Sequence, residues 1–292
     1  MKHAILGAGA IGGLMGTVLS SMGEDVTVII RPDKLAGYPE TLTLERPSGT
    51  VTAPAHAGTD LEGAADALWI ATRTFQLQAA LDAVRTVPIH TVPLLNGVDH
   101  IAVLRSRFGH ERVIPATIAV EAERLAPGRF VQRSPVQLNV ASSGEPFLGG
   151  VISRLRDLAF TCEFIANEKT LLWRKLSFLA PFALVTSASG KNKGEVFADA
   201  GWKDKLEAAV AEASAVAKAD GAEIDTARLT AFFQGLPPGM RSSMAKDLVA
   251  GRQLELDAIG GPVVRGGKRY GIPVPMTTAL IGTIEAIVAK RA

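Results

Sequence analysis

The sequence predicts an α/β fold: an N-terminal Rossmann-type doubly wound sheet followed by a mostly α-helical C-terminal domain. Three observations carry this expectation. Over residues 1–167, short and nearly continuous apolar runs alternate with helical segments, as parallel strands covered on both faces do. A glycine-rich turn, Gly7-Ala8-Gly9-Ala10-Ile11-Gly12, separates the first run from the first helical segment. Beyond residue 167 the strand signal ends and helical periodicity takes over. The 292 residues suit two domains. The expected division is 1–167 for the α/β domain and 168–292 for the helical one, with a cleft between them.

Taken in order, the expected strands are His3–Leu6, Val26–Ile30, Ala67–Ala71, Val92–Leu95 and Val113–Ala116. Leu14–Met22 and Gln76–Val84 read as connecting helices, so the progression is βαβ. Phe130–Gln132 and Gln137–Val140, around Ser134-Pro135, read as a late antiparallel pair. Glu168–Thr186 is a long helical pattern that Pro181 should kink. Leu206, Val210, Ala213 and Ala217 recur at helical spacing, with Gly221 placed to stop that helix and Asp225 to cap the next. Gly235-Leu236-Pro237-Pro238-Gly239 is a loop, and Leu280, Ile281, Ile284, Ile287 and Val288 form an apolar stripe. The uncharged stretch Ala4–Gly23, preceded by Lys2, has the outline of a secretion signal. Its glycines at 7, 9, 12, 13 and 16 would weaken an apolar helix, so a buried first strand and a cytoplasmic protein are expected.

Composition narrows the chemistry. Hydrophobic residues at 47% and charged residues at 21% exclude a disordered or fibrous chain. Thirty-one Lys+Arg against 29 Asp+Glu leaves +2, which argues against nucleic-acid or membrane-surface partners. The longest later uncharged run, Leu176–Gly190, contains Pro181 and is shorter than the ~20 residues a membrane span needs. The single cysteine, Cys162, excludes an intramolecular disulfide and a cysteine-rich zinc site, and is expected to pack as a small apolar residue. No metal is expected, because the histidines and carboxylates lack a ligand spacing such as H-x-x-x-H. All five histidines (His3, His56, His90, His100 and His110) lie in the first half. A proton donor from the second half must therefore be another side chain.

The glycine turn has the spacing of a dinucleotide site. Gly7 permits the tight turn, Gly9 lets the backbone approach a pyrophosphate, and Gly12 allows close helix–strand packing. Free N–H groups at the helix start then face the phosphates. At the end of the second strand an NAD site usually presents a carboxylate for the ribose 2′-hydroxyl. Here Arg31 stands there, with Lys34 close by. A guanidinium binds a 2′-phosphate bidentately where a carboxylate would repel it, so NADP(H) is expected over NAD(H).

Further motifs follow expected strand ends and open the long helix: Arg73-Thr74-Phe75-Gln76, Asn96-Gly97-Val98-Asp99-His100 and Leu172-Trp173-Arg174-Lys175-Leu176. Together with Ser242-Ser243-Met244-x-x-Asp247, Glu255-Leu256-Asp257 and Gly271-Ile272-Pro273-Val274-Pro275, they make the chain resemble the ketopantoate reductase (2-dehydropantoate 2-reductase) family along nearly its whole length. The resemblance implies hydride transfer from NADPH to the ketone of a 2-oxo acid, a step of pantothenate biosynthesis if the substrate is kept. It implies Lys175 as proton donor and carbonyl polariser, and Glu255 as the group orienting the substrate hydroxyl or the lysine. It implies Ser243 as a substrate ligand and Asn96 as a residue placing the nicotinamide end. Arg73 stands where the family usually carries a lysine, which keeps the cation and changes its shape. The chemistry is consistent, since hydride addition builds alkoxide charge that a nearby ammonium stabilises.

The chain also departs from the family. The family helix usually displays asparagines four and eight residues after its lysine, all on one face. Leu179 and Ala183 stand there, and a further family asparagine aligns with Lys193, beside Asn192. Thr186, eleven residues after Lys175, returns to nearly the same face and is a candidate substrate hydroxyl. The apolar replacements leave open a less polar carbonyl substrate, or a non-catalytic NADP-binding sensor. His100 reads as either a ligand contact or a capping or solvent-exposed residue, and Trp173 as a packing anchor. Arg241, Lys246 and Arg252 read as a carboxylate-binding rim or as solvated helix charges. A homodimer through apolar faces of the helical half is compatible with the sequence.

Overall fold

The computed structural model describes residues 1–291. The chain divides into two compact units: residues 1–95 with 100–166, and residues 96–99 with the chain from Asn167 onward. The first unit runs β1 (Lys2–Leu6), α1 (Ala10–Ser21), β2 (Asp25–Ile29), β3 (Thr41–Arg46), β4 (Gly49–Pro54), β5 (His56–Gly58), β6 (Ala67–Ile70), α2 (Leu77–Leu81), β7 (His90–Pro93) and α3 (His100–Phe108). It continues with β8 (Ala116–Ala119), β9 (Ala122–Ala126), β10 (Arg129–Gln132), β11 (Val136–Ala141), α4 (Glu145–Asp157) and β12 (Phe160–Ile165).

Five parallel strands form the first sheet, in the order β5-β2-β1-β6-β7. The chain winds outward from β1 on one side and then from β6 on the other, so the order reverses between β1 and β6. That is the switch point where doubly wound sheets bind ligands. β6 and β7 are buried along their whole length, and β1 is buried except for Lys2. This burial explains why their apolar runs are continuous rather than alternating. Inside the sheet Trp69 Nε1 donates to His3 Nδ1 at 3.0 Å. Burial, reinforced by the N-terminal ammonium, lowers the His3 pKa to about 4, so this imidazole is a neutral structural acceptor.

Two smaller sheets complete the unit, β4-β3-β10-β9 and β12-β11-β8. They correct the expected pairing of 130–132 with 137–140. β10 pairs with β9 and β3, whereas β11 pairs with β8 and β12. Between β10 and β11 the chain is tied to Glu121: Arg133 N–H donates to its carbonyl at 2.7 Å, and Ser134 Oγ accepts from its N–H at 2.8 Å. These bonds carry the chain from one sheet to the other instead of turning it back. The strand expected at Val113–Ala116 begins only at Ala116. Pro115 lacks the N–H a ladder needs, and Val113 makes a lone bridge to Thr91.

Helix α1 packs tightly against Phe130, which is fully buried. A Cβ on Gly13 would lie 2.1 Å from that ring. In an exposed helix Gly→Ala stabilises by about 1 kcal/mol. Here Gly13→Ala is expected to destabilise by about 1–3 kcal/mol through overpacking. Thermal unfolding checks the sign, and an unchanged or raised Tm would mean that Phe130 moves aside without penalty. Cys162 is buried, and burial raises its thiol pKa to about 11, in keeping with the small apolar role expected for it.

The second unit is helical among the described residues: α5 (Glu168–Ser189), α6 (Lys193–Ala198), α7 (Ala200–Ala219), α8 (Thr226–Gly235), α9 (Ser243–Val249), α10 (Leu256–Tyr270) and α11 (Pro275–Ala289). Pro181 lies inside α5 without ending it, and the helix runs to Gly190, whose φ of 68° closes it. Leu206, Val210, Ala213 and Ala217 are all buried on α7. Asp225 caps α8 by accepting from Arg228 N–H at 3.0 Å. On α11 the apolar stripe is narrower than expected: Leu280 and Ile284 are buried, whereas Val288 is exposed. No helix among the described residues is long and apolar enough to cross a membrane.

Candidate active site

In the first unit the glycine turn lies at the switch point. Gly7 has φ +103°, and a Cβ there would crowd Thr72 and the Ala71 carbonyl at 3.0–3.2 Å. The turn from β1 therefore lies against the end of β6. At Gly12 a Cβ would stand 1.9 Å from the Gly7 carbonyl oxygen, so the close packing expected of this glycine is literal. Gly9 is different. The nearest atom to its missing Cβ is 3.9 Å away, which leaves the backbone open to approach. Gly9 is also the N-cap of α1, with no side-chain cap bond and no acidic residue in the first turn. The cap residue thus offers the first N–H groups no side-chain acceptor, and the first turn places no carboxylate at the positive end of the helix dipole. These features fit a dinucleotide pyrophosphate.

Arg31 follows β2 with its side chain 73% exposed. Asp33 lies between Arg31 (3.6 Å) and Lys34 (3.2 Å). The Lys34 hydrogen bond, with help from the Arg31 charge, holds the Asp33 carboxyl below the usual range. Exposed pairs of this kind are weak, so both cations remain able to exchange Asp33 for a phosphate. Arg73 precedes a short 3-10 turn, Thr74–Gln76, just past β6. His100 is buried at the start of α3, which excludes the solvent-exposed reading.

In the second unit, local bonds set the start of α5. Asn167 caps it by accepting from Thr170 N–H at 3.0 Å. Trp173 is buried, and its Nε1 donates to Asp220 Oδ2 at 2.8 Å. Lys169 and Tyr270 also bind Asp220. Burial acts upward on that carboxyl, but these three donors hold its pKa below the ordinary value. Trp173 is thus an anchor, and the residue two places on is fixed in azimuth.

That residue is Lys175. Its Nζ donates to Asn96 Oδ1 at 2.9 Å, and Asn96 Nδ2 donates to Glu255 Oε2 at 3.1 Å. The amide orientation follows from the partners, since an ammonium only donates and a carboxylate only accepts. Glu255 is buried and does not cap its own helix α10. Burial lowers the Lys175 pKa from 10.5 to about 8, while the Glu255 charge acts in the opposite direction. The arrangement holds an ammonium that is charged at neutral pH and close to its point of proton release.

Gly97 and Asp99 of the same motif seat Asn96, together with Ala258 and Arg265, which lie outside the motifs. Gly97 has φ +85°, and a Cβ there would be 2.3 Å from the Ala258 carbonyl oxygen. Arg265 binds Asp99 Oδ2 at 2.6 Å and Asp257 Oδ1 at 2.6 Å. The segment 96–99 is therefore pressed onto the start of α10. The positive φ of a glycine after asparagine is a local signal that was available; the partner Arg265 was not.

Other expected groups are placed differently. Thr186 is fully buried, donates to the Phe182 carbonyl at 2.7 Å and lies 2.8 Å from Ser242 Oγ. Its hydroxyl is thus bonded within the helical unit itself. Asn192 caps α6 in a capping box with Glu195, and Lys193 donates to the Gln234 carbonyl at 3.0 Å. Arg241 pairs with Glu195 (3.6 Å) and Arg252 with Asp247 (2.8 Å), so these arginines answer carboxylates of the chain itself. Ser243 is exposed at the start of α9.

The sequence profile of the family described as ketopantoate reductase PanE/ApbA matches residues 3–145, and that of its C-terminal domain matches residues 167–288. The 2-dehydropantoate 2-reductase of Caulobacter vibrioides is 30% identical over 97% of this chain and 98% of its own length. The chain belongs to the ketopantoate reductase family. A PanE/ApbA family ketopantoate reductase from Ralstonia eutropha JMP134 superposes with a TM-score of 0.88 at 26% identity, covering 100% of this chain and 99% of that one. A D-mandelate dehydrogenase, solved with NADH and anilino(oxo)acetate, shares the fold with a TM-score of 0.86 at 22% identity, covering 99% of both chains. As a ketopantoate reductase family member the protein is of an oxidoreductase lineage, and its Lys175, Asn96 and Glu255 come together although 79 and 159 residues separate Asn96 from its partners.

Proposed function

We propose that the protein is an NADPH-dependent reductase that converts a 2-oxo acid to a 2-hydroxy acid, as a ketopantoate reductase does. The observation that carries this reading is the Lys175–Asn96–Glu255 relay on a half-buried ammonium. The dinucleotide supplies the hydride. Gly7, Ala8, Gly9, Ala10, Ile11 and Gly12 would hold its pyrophosphate through backbone N–H groups, and Arg31 would hold the 2′-phosphate, with Arg73 as a further cation beside the turn. Lys175 hydrogen-bonds the ketone oxygen. As negative charge builds on that oxygen during reduction, Lys175 Nζ passes it a proton. Solvent then returns a proton to the neutral amine. Asn96 keeps Nζ in place through Oδ1, and Glu255 keeps the amide turned. Ser243 is the exposed hydroxyl available to the substrate carboxylate.

The test is NADPH oxidation by the purified protein across a panel of 2-oxo acids, against Lys175→Met as the control. Absence of turnover across the panel would reject the reading and favour a binding protein. Cofactor choice has its own test. Losing a charge-assisted contact worth roughly 1.5–3 kcal/mol should lower the ratio of kcat/KM for NADPH over NADH about ten- to a hundredfold in Arg31→Ala. An unchanged ratio would remove Arg31 as the selector.

A further inference from the structure

We propose that the substrate carries a bulky apolar substituent, aryl or branched alkyl, received by Phe178, Leu179 and Phe232. The inference rests on the reading of Lys175 as the group that binds the ketone oxygen. Residues three and four places along a helix are neighbours on its surface, so Phe178 and Leu179 flank Lys175 one turn away. Both are only partly covered, although the buried core of the unit lies beneath them. Phe232 extends the apolar surface. It is 53% exposed, yet its ring meets Phe178 edge-on at 4.9 Å and 88°. Phe233, its neighbour on α8, is buried and contacts both Phe178 (5.0 Å) and Phe182 (6.2 Å). The result is an aromatic cluster with an open edge beside the proposed reaction centre. A large exposed phenyl ring is held in place there by its neighbours, which suits stacking against a flat or branched apolar group.

The polar groups that could receive a substrate hydroxyl along this helix face are absent or engaged. Leu179 and Ala183 have no donor, Thr186 is bonded to Phe182 and Ser242, and Asn192 and Lys193 are bonded within the chain. A substituent hydroxyl placed here would lose its water and gain nothing, whereas a methyl would be buried favourably. A site built to bind that hydroxyl would instead discriminate strongly in its favour.

The test compares ketopantoate with trimethylpyruvate, its analogue lacking only the hydroxyl oxygen, and adds phenylpyruvate and pyruvate. Wild-type kcat/KM with NADPH should be at least about tenfold higher for trimethylpyruvate or phenylpyruvate than for ketopantoate. Leu179→Asn should move the ratio of ketopantoate over trimethylpyruvate upward by about tenfold. Phe232 is exposed, so Phe232→Ala is the safer variant for folding. It should lower the ratio of phenylpyruvate over pyruvate by about tenfold. Preference for ketopantoate in the wild type, or ratios unmoved in Phe232→Ala, would overturn the apolar subsite while leaving the reductase reading intact. Turnover of no 2-oxo acid, or turnover independent of Lys175, would overturn both.

Discussion

Lys175→Met is expected to lower kcat by about 10³-fold, the combined scale of lost proton transfer and lost electrostatic stabilisation of the developing alkoxide. Methionine retains the unbranched side chain as far as Cε, removes only the ammonium end and leaves the anchors of α5 at Asn167 and Trp173 untouched. NADPH affinity, measured by fluorescence titration, should therefore change little while turnover collapses. The wild-type pH profile adds a second check. Burial lowers the lysine pKa from 10.5 to about 8, so the proton-bearing form predominates below that value and is lost above it. The rate of ketone reduction should accordingly fall as pH rises through about 8, and oxidation of the hydroxy acid should rise over the same interval. A reduction rate flat from neutral pH to well above 8 would show that Lys175 is not the donor.

Gly97→Ala is the second large effect, and it acts at a distance from any reacting atom. The alanine must adopt φ near +85°, which costs about 1–2 kcal/mol for an L residue, and its Cβ would meet the Ala258 carbonyl oxygen at 2.3 Å. Backbone atoms on a helix have little freedom to retreat, so the segment 96–99 must lift. Asn96 then loses its hold on Lys175 and Glu255. A misplacement of about 1 Å in a reacting group commonly lowers the rate about 10²-fold. That loss in kcat/KM is expected here, matched by Asn96→Ala, with circular dichroism showing retained helix content. If Gly97→Ala is within twofold of wild type, the seat on α10 is not what positions the amide.

The legible part of the fold was the part with strong local pattern. β1, β2, β6 and β7 sit inside one parallel sheet, and their burial on both faces writes continuous apolar runs into the sequence. In the helical half, caps or periodicity announced α5, α7, α8 and α11, whereas α6, α9 and α10 carried no pattern that was read as a helix. What escaped was pairing between distant strands. β3 lies beside β10, with Thr43 opposite Arg129, and no local feature near residue 130 announces it. The expected pairing across Ser134-Pro135 failed for the same reason, since bonds to Glu121 redirect the chain. Thr186 illustrates the limit for the site: helical spacing indicates which face it shares, but only the packed helices show that its hydroxyl meets Ser242 and the Phe182 carbonyl.

By itself the sequence determined the chemical parts: a glycine turn between a strand and a helix, a cation after the second strand, and a lysine in a half of the chain that has no histidine. These follow from residue type and short spacing, which the linear order records directly. Only the tertiary structure decided which parts act together. Hydrogen bonds reach about 3 Å, so the link from Lys175 through Asn96 to Glu255 exists only once segments far apart in the chain have packed. The readiness of that lysine to release a proton has the same origin, because burial is a property of its surroundings and not of its place in the chain.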